Sequence, residues 1–267
     1  MSGFSAGWLA LREPADVAAR SVAVTRFVTD ALHNRSVLRI VDLGSGTGSN
    51  VRYLSHRLPQ PQQWQLMDND PALLETARSL ISFDVETRVA DLRRLDASAF
   101  ATSDLVTASA LLDLVSEPWL RMLVEQCREP RVAVLAALNY DGRIECTPAD
   151  EGDEFVCELV NRHQRTDKGF GPALGPDAGV RLEALLRDAG YSVLRKKSDW
   201  QLGASERELQ RQLISGWAAA AIEMSGSAAE RIRAWEGRRL DAVANERSVI
   251  VVGHEDVGAV PGGMEPT

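Results

Sequence analysis

Apolar residues recur along this chain in two alternating rhythms. Between residues 14 and 33, Val17, Val24, Phe27, Val28 and Leu32 fall on one approximate helical face, and Pro14 suits the start of that helix. The next run, VLRIVDL at 37–43, is apolar, β-branched and stopped by glycine, as a buried strand is. The same reading predicts a helix over Thr47–Leu58 ended by Pro59 and a strand over 64–67 that ends in Asp68. It predicts a helix over Pro71–Ile81 capped by Asp70, then strands over 85–90 (ending at Asp91) and 104–109. A helix over Glu117–Cys127 and a strand over 131–138 follow. After an irregular stretch come a helix over Asp177–Ala189 stopped by Gly190, a strand over 191–202, helices over 205–222 and 227–243, and a last strand over 248–255.

Strand and helix alternate as βαβ units do, so the expected fold is α/β, a doubly wound and mostly parallel sheet with helices on both faces. Residues 139–176 break the rhythm with five glycines and three prolines, and an irregular segment of that length more often carries function than not. There is no internal repeat and no low-complexity linker, so one elaborated domain over 37–256, with insertions at 139–176 and 203–246, fits better than two. Residues 1–36 form a helical segment able to act as a lid, and 257–267 form a flexible tail.

Composition narrows the function classes. With 267 residues, 45% apolar and 25% charged, the chain is ordinary globular material. Thirty Lys and Arg against 38 Asp and Glu leave a net charge of −8, which disfavours a nucleic-acid partner. No apolar run approaches the ~18 residues of a membrane span, and the N-terminus does not read as a signal peptide. Cys127, Cys146 and Cys157 form no CxxC pair. They read as free thiols in a reducing, cytoplasmic setting, with no metal site.

The chemistry concentrates in Val41-Asp42-Leu43-Gly44-Ser45-Gly46-Thr47-Gly48. A strand delivers the chain into a glycine turn that opens a helix, and such a turn lets backbone approach a ligand with no Cβ in the way. Its spacing is GxGxG, Ser49 stands where a dinucleotide loop has its third glycine, and no GxxxxGK[ST] exists. Each following strand closes on an acid. Asp68 is placed to accept from both ribose hydroxyls, and Asp91 to receive the exocyclic amine of adenine. Asp42, inside the first strand, is costly to bury without a partner, which a ligand ammonium or a ring of backbone N–H groups would supply. Singly, each acid reads as a helix cap or turn residue; at successive strand ends they read as a nucleoside site.

VDLGSGTG, the Asp in QLMDND, ADL after the third strand and DLVTASALLDLV at the fourth resemble the class I S-adenosylmethionine-dependent methyltransferases, over residues 37–140 and the late strands 191–202 and 248–255. The resemblance implies a Rossmann-like seven-stranded sheet, six strands parallel and the last antiparallel in an edge hairpin. It implies S-adenosylmethionine as cofactor and S-adenosylhomocysteine as product. Gly44, Ser45, Gly46 and Gly48 would wrap the methionine part, and Asp42 would reach its ammonium. Asp68 would hold the ribose with Asn69 beside the adenine, Asp91 and Leu92 would frame the adenine ring, and Ser109 would approach the sulfonium. An N-terminal lid would bring Arg12 or Arg20 to the methionine carboxylate, although Asp16 and Arg20, spaced i,i+4, would equally pair with each other.

Methyl transfer from a sulfonium requires the nucleophile to be aligned and, where needed, deprotonated. No [DN]PP[YFW] follows the fourth strand and no metal-binding acids are arranged near it, so a small-molecule acceptor is expected, methylated on O, N or S. The candidate catalytic groups are His163 and Asp113, against plain readings as a surface histidine and a helix cap. Tyr140, Arg165 and Lys168 are the candidate substrate contacts. The competing readings are aminopropyl transfer on the same scaffold and a non-catalytic binding module. A monomer or homodimer fits all three.

Overall fold

The structure is a computed structural model that describes residues 4–95 and 100–263. It opens with two helices, α1 (Ala6–Ala19) and α2 (Val22–Leu32), where the periodicity predicts one. Ser5 caps the first by accepting from Trp8 N and Ser21 caps the second by accepting from Val24 N, so the chain turns at Arg20. Pro14 therefore lies inside α1 and does not start it.

The sheet runs β3-β2-β1-β4-β5-β8-β6, with a short β7 beside β8. Five neighbouring strands pair in parallel: β1 (Leu38–Leu43), β2 (Gln62–Asp68), β3 (Glu86–Val89), β4 (Leu105–Ser109) and β5 (Ala133–Thr147). β8 (Val249–Pro261) is antiparallel to β5, to β6 (Tyr191–Lys197) and to β7 (Trp200–Leu202). The reversed last strand is as expected, but it is inserted between β5 and β6 and is not an edge. It also runs through Pro261, so residues 257–261 of the predicted tail are paired strand. Val257, Ala259 and Val260 are fully buried there, which anchors them.

Both faces are covered. Val41 and Leu43 point into a core with α5 (Glu117–Arg128) and α7 (Ala178–Asp188), while Leu38 and Ile40 point into a second core with α2, α3 (Ser49–Ser55) and α4 (Pro71–Leu80). Alternation thus sends Asp42 toward the α3 face.

The segment predicted to be irregular over 139–176 is largely regular. β5 continues past the end of β4 to Thr147 through two bulges, and α6 (Asp153–Gln164) follows. The bulges are why the run reads as loop, since they interrupt the period-2 pattern. With β7, α8 (Arg207–Met224) and α9 (Ala229–Ala244), this extension builds a third core beyond the carboxyl edge of the sheet. Trp235 is its buried centre: its indole N–H donates to Asp153 at 2.8 Å, and a Cβ on Gly152 would lie 2.8 Å from its ring. No helix among the described residues is long and apolar enough to cross a membrane.

Candidate functional site

The glycine loop sits at the carboxyl ends of β1 and β4, and Gly44, Gly46 and Gly48 all take left-handed backbone (φ 63°, 51° and 78°). Ser45 ties the turn down: its hydroxyl donates to Asp42 O at 2.8 Å and accepts from Met67 N at 3.1 Å. A Cβ on Gly46 would lie 3.0 Å from Leu9 of α1, and one on Gly44 would lie 3.4 Å from Leu111. The N-terminal helix therefore lies over the loop. Glu13 fastens it to α3 through a bidentate pair with Arg52 at 2.9 and 2.6 Å.

Asp68 ends β2 as predicted and is buried, accepting from Gly46 N at 2.8 Å and from Asp70 N at 3.0 Å. Asp70 caps α4. Beside them, beyond the ends of β2 and β3, lies a cleft of about 170 Å³ lined by Met67, Ala90, Asp91, Arg94 and Leu95 among others. Asp91 is at its rim but exposed, where a bidentate pair with Arg93 holds its carboxyl down at about 2. Leu92 does not line this cleft. It faces the core under α5, because Asp91 caps a single 3-10 turn that rotates Leu92 inward. Asn69 is exposed, next to Asp68.

Beneath the loop lies a polar chain that the sequence only partly disclosed. Asp42 and Thr107 are register partners on the α3 face, and both bond the Asn50 amide, at 2.7 and 3.0 Å. The Asn50 carbonyl accepts from Arg20 Nη1 at 2.7 Å, and Arg20 Nε reaches Asp256 at 3.3 Å. Arg20 thus pairs with Asp256, while Asp16 pairs with Arg12 at 2.9 Å; the i,i+4 pair of Asp16 with Arg20 does not form. Two atoms of the chain have no hydrogen-bond partner although buried: Asp42 Oδ2 and Arg20 Nη2. Burial pushes the Asp42 carboxyl up to about 7 against the Asn50 and Ser45 bonds. A narrow cleft of about 10 Å³ runs past Arg20, Asn50, Tyr53, Ser109 and Leu138, so Ser109 and Arg20 line the same cleft.

A second group lies across the ends of β4 and β5. Asp113 stands in the turn Leu112–Leu114, buried, with Oδ1 unpartnered. Burial pushes its carboxyl up to about 6, and the charges of Arg12 and Lys168 pull it back. Tyr140 is buried on β5, its hydroxyl donating to Asn161 at 2.9 Å and its ring edge-on to His254. His163 holds Glu223 through Nε2 at 3.1 Å and Lys168 through Nδ1 at 3.2 Å. Lys168, its pKa lowered by burial, lies within electrostatic range of Asp113. Arg165 instead turns outward to Asp177 at 3.0 Å, apart from this group. Sequence reasoning missed Asn50, Thr107 and Asp256. Asp256 stands beside Glu255 just past the predicted end of the last strand, and no sequence signal marks it. Among the described residues, no cluster of His, Cys, Asp and Glu is arranged to hold a metal.

A family model described as a methyltransferase domain matches residues 40–130, from β1 through α5. No curated protein sequence matches the chain significantly. Among solved structures, it is similar to the YcgJ protein of Bacillus subtilis, at 15% identity and a TM-score of 0.52, covering 91% of this chain and all of that one. It is likewise similar to the YjhP protein of E. coli (14% identity, TM-score 0.50, 95% and 98% covered) and to the cyclopropane synthase MmaA2 of Mycobacterium tuberculosis (10%, 0.52, 96% and 94%). The likeness at such identities is one of fold. Residues 40–130 thus match a methyltransferase domain, and they lie on a Rossmann-like, mostly parallel sheet.

Proposed function

We propose that this protein binds S-adenosylmethionine at the carboxyl edge of β1, β2 and β4 and transfers its methyl group to an O, N or S atom of a small-molecule metabolite. The observation that carries the reading is the pair of buried polar atoms without hydrogen-bond partners, Asp42 Oδ2 and Arg20 Nη2, on either side of the Asn50 amide. A buried polar atom left without a hydrogen bond is unfavourable unless a ligand completes it, and a zwitterionic amino-acid tail brings a donor for the carboxyl and an acceptor for the guanidinium. The site residues fit the rest of the cofactor as well. Asp68, already fixed by two backbone N–H groups, has further acceptor capacity for ribose hydroxyls. The cleft walled by Met67, Ala90 and Leu95 suits a flat heterocycle, with Asp91 and Asn69 at or near its rim.

When bound, S-adenosylmethionine supplies an electrophilic methyl on a sulfonium. The chain's own tasks are to hold the acceptor and, where its nucleophile carries a proton, to remove it. Asp113 suits the second task better than His163. Its free Oδ1 and its raised carboxyl make it a base effective near neutrality, whereas both ring nitrogens of His163 are engaged. Lys168 and Tyr140 flank Asp113 and are the remaining substrate contacts in this reading. The third core closes over this end of the sheet, an enclosure that suits a small acceptor, and the three free thiols suit a cytoplasmic setting.

Calorimetry with S-adenosylhomocysteine tests the first half, and radiolabelled methyl transfer to a panel of hydroxylated, amino and thiol metabolites tests the second. Absence of binding would remove the proposal. Binding with no transfer to any member would favour a sensor of the cofactor. Equal affinity for a decarboxylated donor would favour aminopropyl transfer.

A further inference from the structure

Asp256 is fully buried on β8, 236 residues away in sequence from the arginine it meets. Its carboxylate takes three donors at once: Leu138 N at 2.8 Å, Ser21 N at 2.9 Å and Arg20 Nε at 3.3 Å. Each is a structural decision. Ser21 N begins α2. That helix lies directly on β8 because Gly258, two residues beyond, has no side chain; a Cβ there would stand 2.9 Å from Val24 and Val28. Leu138 lies within the first β5 bulge, with φ at 54°, a conformation a leucine keeps only when neighbours impose it. Arg20 is the joint between α1 and α2.

The guanidinium of Arg20 is held on three sides. Nε is on Asp256, Nη1 is on Asn50, and the plane lies over Tyr53 with its carbon 4.4 Å from the ring centroid. Only Nη2 is left over, buried and unbonded. Asn50 fixes one end of this fork through a neutral amide. The fixing charge comes from Asp256, and charge-assisted bonds set the geometry of a guanidinium most firmly.

We propose that Asp256 is a positioning residue: it aims Arg20 Nη2 at the carboxylate of a nucleoside that carries an amino-acid tail, and so makes the site selective for donors that keep that tail. The assignment rests on the donor-binding reading above. Asp256 itself touches no ligand in this scheme. It acts through Arg20 and through Leu138, which it holds and which lines the same cleft as Arg20 and Ser109.

The test compares two probes by calorimetry on the full chain. S-adenosylhomocysteine has the tail; 5′-methylthioadenosine has the same nucleoside and thioether without it. Asp256→Asn should weaken S-adenosylhomocysteine about tenfold, the scale of one hydrogen bond to a charged group, and leave 5′-methylthioadenosine within about twofold. Arg20→Lys should show the same contrast. The double variant should lose little more than Arg20→Lys alone, since both act on one contact. An equal loss for both probes would reduce Asp256 to a structural residue and overturn the proposal, as would full additivity with Arg20→Lys. If Asp256→Asn does not fold, Asp256→Glu keeps the charge and displaces it by one methylene. The same contrast is expected of it, and unchanged affinity for both probes would be equally fatal. Failure of the unaltered protein to bind S-adenosylhomocysteine would remove the donor-binding reading itself.

Discussion

Asp42 occupies a position that opposes its own ionisation, and the consequence can be measured without any substrate. It is 1% exposed, and burial lifts its carboxyl from an ordinary value of 3.8 to about 7, with the Asn50 bond and the Arg20 charge only partly offsetting that and Asp68 adding to it. The unfolded chain returns the group to its ordinary value, so between those two pH values the native state holds a proton that the unfolded state has released. A carboxyl raised by folding therefore contributes its full stability below about pH 4 and loses it as pH rises through about 7. At about 1.4 kcal/mol per decade, the deficit above pH 7 reaches about 4 kcal/mol. Asp42→Asn keeps the shape and an oxygen for Asn50 but cannot ionise. Urea unfolding followed by tryptophan fluorescence should find the two proteins nearly equal at about pH 4 and the variant more stable by up to about 4 kcal/mol at about pH 8. Asp113, raised in the same sense, is common to both proteins and cancels in the difference. A difference that is flat with pH, or a variant less stable at the alkaline end, would refute the reasoning. The variant should also bind S-adenosylhomocysteine more weakly, because the destabilising charge is the one the ligand ammonium completes.

Asp68→Ala should weaken S-adenosylhomocysteine by about 1.5–3 kcal/mol in calorimetry, the cost of losing hydrogen bonds to a charged group; an unchanged Kd would mean the ribose lies elsewhere. Once an acceptor is in hand, kcat/KM should rise with pH through about 6 as Asp113 gives up its proton, and Asp113→Asn should lower kcat by about a hundredfold and abolish that limb. His163→Ala, which removes a partly exposed pair with Glu223, should shift stability by no more than about 0.5 kcal/mol and leave the pH limb in place. Gly46→Ala should destabilise the fold by about 1–2 kcal/mol in urea, since its φ of 51° is left-handed and its new methyl would stand 3.0 Å from Leu9.

β1, β4 and the first half of β5 were legible because these strands are buried on both faces and read as nearly unbroken apolar runs. VLRIVDL and Asp68 at the end of β2 stand where that pattern puts them, and Asp70 caps α4 as its position before Pro71 implies. The carboxyl half of β5 was not legible. Asn139, Gly142 and Arg143 make polar contacts with β8, Cys157, Asn161 and Asp199, none of which is near in sequence. The glycine loop was legible as a tight strand-to-helix turn, and its three glycines do take left-handed backbone. The polar chain beneath it did not announce itself, because Asn50 is an ordinary helix residue until β1 places Asp42 against it, and Arg20 finds Asp256 only once β8 has been inserted beside β5. Leu92 and Arg165 show the converse. Each stands next to informative residues in sequence, yet one is rotated into the core by a 3-10 turn and the other is drawn outward by Asp177.

A crystal structure of the protein with S-adenosylhomocysteine bound is the most direct test. The account predicts ribose hydroxyls on Asp68, the heterocycle in the cleft walled by Met67, Ala90 and Leu95, and the tail between Asp42 and Arg20. Electron density for the ligand away from the ends of β1 and β2, or a tail that leaves Asp42 and Arg20 unpartnered, would contradict it.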